Sequence, residues 1–145
     1  SGVPTQKEMH MLPIGRGEIR RQGEKIALLS FGSMLTPCLA AAEELNATVV
    51  NMRFIKPLDD ELVASLAANH DLLVTVEENT IMGGAGSAVA ESLYKQKIYT
   101  KILQLGLPDT FIDQGDHAQM LANCGLDKDG IIDSVNSTLS NGSLL

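Results

Sequence analysis

The stretch Lys25–Arg53, "KIALLSFGSMLTPCLAAAEELNATVVNMR", decides the fold. Its two ends, KIALLSF and ATVVNMR, are short apolar runs of the kind expected of strands covered on both faces. Between them TPCLAAAEEL reads as a helix, with Thr36 as N-cap and Pro37 at the first helical position. Strand, helix and strand joined by short connections form a βαβ unit, whose two strands lie parallel.

The same pattern continues downstream. DLLVTVEE (Asp71–Glu78) and KILQLGL (Lys101–Leu107) read as two further strands. DDELVASLAAN reads as a helix capped by Asp59, with acids in the first turn where the helix dipole favours them. In GSAVAESLYKQ, Gly86, Val89, Ala90 and Leu93 recur at helical spacing and form one face. Upstream, GEIRR and KIALLSF flank the turn-like QGE, which predicts a hairpin with an arginine-rich antiparallel edge strand. Beyond Leu107 the chain reads as irregular, then as two helices near His117–Asn123 and Asp129–Leu139. The expectation is a three-layer α/β domain with a mixed five-stranded sheet, four strands parallel and one antiparallel at the edge, and helices on both faces. Residues 1–12 carry no core pattern and read as an incoming linker from something longer, 13–139 as the domain, and 140–145 as a frayed tail.

Composition narrows the function. A chain of 145 residues with 44% apolar residues fits one domain with a real core. With 3% aromatics, no Trp and a net charge of -7, it suits neither a stacking platform for nucleic acid nor a polyanion partner. The charge is uneven: five basic and three acidic residues up to Lys25, six and fifteen beyond it. The basic stretch GRGEIRRQGEK reads as a solvated hairpin. Cys38 and Cys124 lack C-x-x-C spacing and read as buried thiols in a reducing compartment. No run is long enough to span a membrane and the N-terminus lacks the apolar core of a signal peptide, so the expected location is cytoplasmic.

In a parallel sheet the loops at the carboxyl ends of the strands gather on one edge, where α/β domains bind ligands. Those loops hold Ser33, Arg53, Lys56, Asp59, Glu77, Glu78, Asn79, Ser87 and Asp109, with Gly83, Gly84 and Gly86 at the corner before the third helix. Two readings are open. The polar groups either answer one another and the helix ends, or they hold a small anion. Glu77 and Glu78 are adjacent in a strand and point to opposite faces, so they do not form an acid/base pair. One of them is expected to accept from loop amides and the other to meet a cation such as Arg53. GGAGS resembles a dinucleotide fingerprint only weakly, because Val89 stands where G-x-G-x-x-G needs its third glycine. GLDKDG lacks the acids of a calcium loop, and His10, His70 and His117 have no metal-ligand spacing. The residues alone give no catalytic, cofactor-binding or metal-binding site.

NMRFIKPLDDELV, VTVEENTIMGGAGSAVAE and LQLGLPDTFIDQGD together resemble the C-terminal (third) domain of the 1-deoxy-D-xylulose-5-phosphate synthase family, itself similar to transketolase C-terminal domains. The likeness covers all but the two ends of the chain. Transketolases and 2-oxoacid dehydrogenase β subunits share a looser version of the pattern and remain alternatives, as does a regulatory anion-binding α/β module. The resemblance implies a thiamine diphosphate- and magnesium-dependent transferase that condenses pyruvate with glyceraldehyde 3-phosphate and releases carbon dioxide. Its product serves isoprenoid, thiamine and pyridoxal synthesis. The G-D-G…N-N motif that holds the diphosphate and metal in that family is absent here, the nearest string being QGDH at Gln114–His117. The implied role is therefore structural: this domain is inactive alone, packs against other domains of its own chain and supports a homodimer.

Overall fold

The computed structural model describes residues 13–80, 84–108 and 116–141, with the side chains of Asn79 and Thr80 left aside. In chain order the elements are β1 (Glu18–Arg21), β2 (Ile26–Ser30), a 3-10 turn (Gly32–Met34), α1 (Leu35–Leu45), β3 (Thr48–Asn51), α2 (Asp60–Asn69), β4 (Leu72–Thr80), α3 (Ala85–Lys95), β5 (Lys101–Leu107), α4 (His117–Asn123) and α5 (Lys128–Ser140). The five strands form one sheet in the order β1-β3-β2-β4-β5. Among the described strands only β1 runs antiparallel, as the sequence predicts, and the other pairs are parallel.

Alternation along the strands builds two cores. Ile26, Leu28, Val49, Leu72, Val74 and Val76 meet Cys38, Ala41 and Ala42 of α1 and Ile131, Ile132 and Val135 of α5. On the opposite face Ala27, Leu29, Val50 and Leu73 meet Val63 and Leu66 of α2 and Ala85, Val89 and Leu93 of α3. The central strand β2 is buried throughout, which is why it carries no polar residue before Ser30. The helices thus lie in two layers around the sheet.

Two local expectations are corrected. The hairpin does not form: β1 pairs with β3, not β2, and the QGE segment crosses the amino end of β3. There the Gly23 amide donates to Thr48 Oγ1 at 2.9 Å and the Glu24 amide to the Asn46 carbonyl at 3.1 Å. A side chain on Gly23 would collide with the Ala47 backbone, so the crossing requires glycine. β2 has parallel neighbours on both sides, so neither of its edges is open to β1, which pairs with the outer edge of β3 instead. The arginines are not all solvated either: Arg21 Nη1 donates to the Ala47 carbonyl at 2.8 Å with its side chain 24% exposed.

The second correction concerns α1. It begins at Leu35, without a side-chain cap, rather than after Thr36. Gly32, at φ 66°, turns the chain out of β2 into the 3-10 turn, and the helix starts from that turn. Pro37 is still tolerated, because amides in the first helical turn have no intrahelical acceptor. Asp59, by contrast, caps α2 as expected, its side chain accepting from the Leu62 amide.

Candidate functional site: the carboxyl edge of the sheet

β2, β3 and β4 run parallel, so their exits open onto one edge. β2 leaves through Gly32 and Ser33, β3 through Arg53 to Pro57, and β4 toward the start of α3. Among the described residues, three of the carboxylates expected at this edge, Asp59, Glu77 and Glu78, are each answered from within the domain.

Glu77, 2% exposed, lies on the face of β4 that looks toward α3. Its Oε1 accepts from the Ala85 amide and its Oε2 from the Gly86 amide, both at 2.9 Å. These are amides that a helix leaves without internal acceptors, and a buried carboxylate there also complements the helix dipole. Gly84, the N-cap residue of α3, has no capping side chain of its own, so Glu77 supplies the cap from the neighbouring strand.

Glu78 points the other way, as alternation demands. Its Oε1 accepts from Ser33 Oγ at 2.6 Å, and its Oε2 lies 3.3 Å from His117 Nε2 at the start of α4. The expectation that it meets Arg53 is corrected. The loop after β2 lies between the exits of β3 and β4, so Ser33 is the nearer partner. His117 read as isolated in the sequence, and nothing in its spacing indicated that α4 would bring it to Glu78.

Asp59, 6% exposed, divides its oxygens between the Gly17 amide at 2.8 Å and the Leu62 amide at 3.1 Å. Arg16 stands 3.7 Å from it and bonds Glu61 at 2.7 Å. The Glu61 hydrogen bond, then the charges of Glu61 and Asp59, hold the Arg16 guanidinium above its ordinary pKa. One aspartate therefore ties the start of β1 to the start of α2.

Arg53 sits at φ 64° with its guanidinium carbon 5.7 Å from the centroid of the Phe54 ring. Neither Arg53 nor Lys56 pairs with a carboxylate among the described residues. Asn79 belongs to β4 by its backbone, Ser87 lies half-buried in the first turn of α3, and Gly83 and Asp109 fall outside the described residues.

Gly86 is buried under α3 against β4 and β5. A Cβ built on it would stand 2.6 Å from Gln104 Oε1 and 2.8 Å from Thr75 Oγ1. Thr75 and Gln104 are direct partners across the β4–β5 register, so the pair meets the helix at one point. This close approach was legible only as a glycine on the apolar face. Among the described residues no group of three His, Cys, Asp or Glu could hold a metal, and no helix is long and apolar enough to cross a membrane.

The chain belongs to the transketolase C-terminal domain family, whose description "Transketolase, C-terminal domain" matches residues 15–131. A solved structure titled "Split gene transketolase, inactive beta4 tetramer" superposes with a TM-score of 0.82 at 30% identity, over 89% of this chain and 44% of that one. More particular is the similarity to 1-deoxy-D-xylulose-5-phosphate synthases. That of Nitrosospira multiformis is 73% identical over 93% of this chain, and that of Nitrosomonas europaea 69% identical over 96%. The chain spans 22% and 23% of the length of those two relatives.

Proposed function

We propose that this chain is the C-terminal domain of a 1-deoxy-D-xylulose-5-phosphate synthase, and that its work there is structural. The observation that carries the family part is 73% identity to such a synthase over 135 residues. The longer enzyme would join pyruvate to glyceraldehyde 3-phosphate with loss of carbon dioxide, supplying isoprenoid, thiamine and pyridoxal synthesis in the cytoplasm. Thiamine diphosphate and magnesium would be held by its other domains, and the assembled enzyme would be a homodimer.

The site chemistry supports a supporting role for this domain. Magnesium on a diphosphate needs oxygen ligands free to coordinate. Here Asp59 and Glu77 each bind two amides and Glu78 binds a hydroxyl beside His117, so the carboxylates do not fit that task. No step of the reaction is assigned to them. The corner from Gly84 to Ser87 is read in the same way, as a close-packed helix start. Glu77 puts a negative charge where a bound anion would otherwise meet the α3 amides, and a second anion there would be repelled.

The coding sequence upstream of residue 1 tests this directly. A G-D-G…N-N domain in the same reading frame is expected, and its absence would defeat the synthase assignment. Calorimetric titration of the chain with thiamine diphosphate and magnesium, alongside a product assay, is expected to give neither binding nor turnover. Saturable micromolar binding would show that this domain holds cofactor after all.

A further inference from the structure

We propose that Arg53 is a docking arginine, whose guanidinium receives a carboxylate from another domain of the longer enzyme chain. This rests on the chain being one domain of such an enzyme, and it names the surface through which that domain is held.

The backbone at Arg53 is the first observation. Its φ of 64° lies in the left-handed region, and the Phe54 amide donates to the Met52 carbonyl at 2.6 Å, closing a three-residue turn around it. Such turns are rare and strained for a residue with a Cβ, and glycine would adopt this φ without that cost. Strain of this kind persists where the surroundings fix it, and it clusters at working sites. An arginine in this place is therefore costly to the isolated fold.

The second observation is the charge accounting of the edge. Asp59, Glu77 and Glu78 have their partners within the domain, as described above. Arg53, half-buried, pairs with no carboxylate among the described residues. Its guanidinium lies over Phe54, which keeps the planar fork in place for a carboxylate approaching in its plane.

The surroundings choose the occupant. Phe54 and Ile55 are half-buried in the same loop. Ile14 is 78% exposed, and its neighbour Gly15 lies against the loop, an added Cβ there falling 2.8 Å from Pro57 Cγ. An aromatic ring against the cation, with apolar residues in and beside the same loop, suits a protein surface, which would cover them and dry the ion pair. They offer nothing to a solvated phosphate. The relatives supply ample protein outside this chain, since it spans 22% of the length of the Nitrosospira multiformis synthase.

The test compares Arg53→Gly in the 145-residue chain and in the full-length chain. In the short chain, relief of the left-handed backbone should raise Tm by roughly 2–4 °C. In the long chain the same change should release this domain to a protease about tenfold faster, the loss of roughly one good contact. Arg53→Lys, which keeps the charge, should restore part of that protection. Stabilisation by Arg53→Gly in both chains would overturn the proposal, because the arginine would then dock nothing. So would a saturable rise in Tm of the short chain with inorganic phosphate at constant ionic strength that Arg53→Gln abolishes, since the site would then belong to a free anion. If the upstream sequence encodes some other enzyme, the synthase assignment fails while the comparison of short and long chains still reads the docking.

Discussion

The carboxylate of Glu77 and the backbone of Gly86 hold the start of α3 from two sides: Oε2 receives the Gly86 amide at 2.9 Å, and Gly86 has no room for a Cβ. A strand residue thus fixes how close the helix comes, and a glycine permits it. The two residues make separable predictions.

Glu77→Gln keeps the shape but removes the charge and offers one acceptor where two amides need them. Loss of stability by about 1–3 kcal/mol is expected, as for a buried group left unpaired. Gly86→Ala should cost about 1–3 kcal/mol through overpacking, and Gly86→Val more. Because Gln104 is the flexible neighbour, Gln104→Ala should recover part of the Gly86→Ala loss. Ser87→Ala should be milder than Gly86→Val, with no phosphate-specific change in Tm. Urea melts of the set check this, and a Gly86→Ala variant as stable as the parent would refute the packing argument.

Arg20 and Arg21 should separate although they are adjacent. Arg20 faces solvent, 3.8 Å from Glu18, whereas Arg21 donates to the Ala47 carbonyl at the turn into β3. Arg20→Gln is expected to change stability by no more than about 0.5 kcal/mol. Arg21→Gln should cost about 1 kcal/mol, the net worth of a hydrogen bond, because it loosens β1 from that turn. Equal effects in denaturant melts would return both arginines to the solvated class.

His70 is buried with both ring nitrogens engaged, Nδ1 2.8 Å from the Leu66 carbonyl and Nε2 2.7 Å from Thr48 Oγ1. A carbonyl only accepts, so Nδ1 carries the proton. In the neutral ring Nε2 then accepts from the Thr48 hydroxyl. Nitrogen NMR should find the Nδ1–H tautomer. Thr48→Val strands both Nε2 and the Gly23 amide, and should cost about 1–3 kcal/mol.

Burial pushes the Cys38 thiol up to about 12, from an ordinary 9.0. The folded state therefore keeps its proton where the unfolded state has lost it. Between pH 9.0 and about 12 the unfolded chain binds fewer protons, so stability falls as pH rises, with no contribution below that window. The slope is at most about 1.4 kcal/mol per pH unit for one group. Cys38→Ala should flatten this part of the profile, and native-state alkylation at pH 8 should label Cys124, which is half-buried, before Cys38. A profile unchanged by Cys38→Ala would place the titration elsewhere.

The sequence by itself determined the layers, the strand count and the helix faces, because hydrophobic periodicity is local: Leu28 and Leu29 must face opposite cores whatever else happens. It determined Asp59 as a cap for the same reason, since donor and acceptor lie within one turn. Even the opposed directions of Glu77 and Glu78 followed from strand alternation. What only the tertiary structure decided are relations between residues far apart in the chain. β1 seeks β3 rather than β2 because β2 has already given both edges to parallel partners, and no local turn signal encodes that competition. Glu78 takes Ser33 and His117 rather than Arg53 because the order of strands, not their sequence, sets which loops are neighbours. Arg53 is left over by the same geometry, and its left-handed backbone is legible only in three dimensions, since a helix- or strand-forming pattern carries no sign of a single φ.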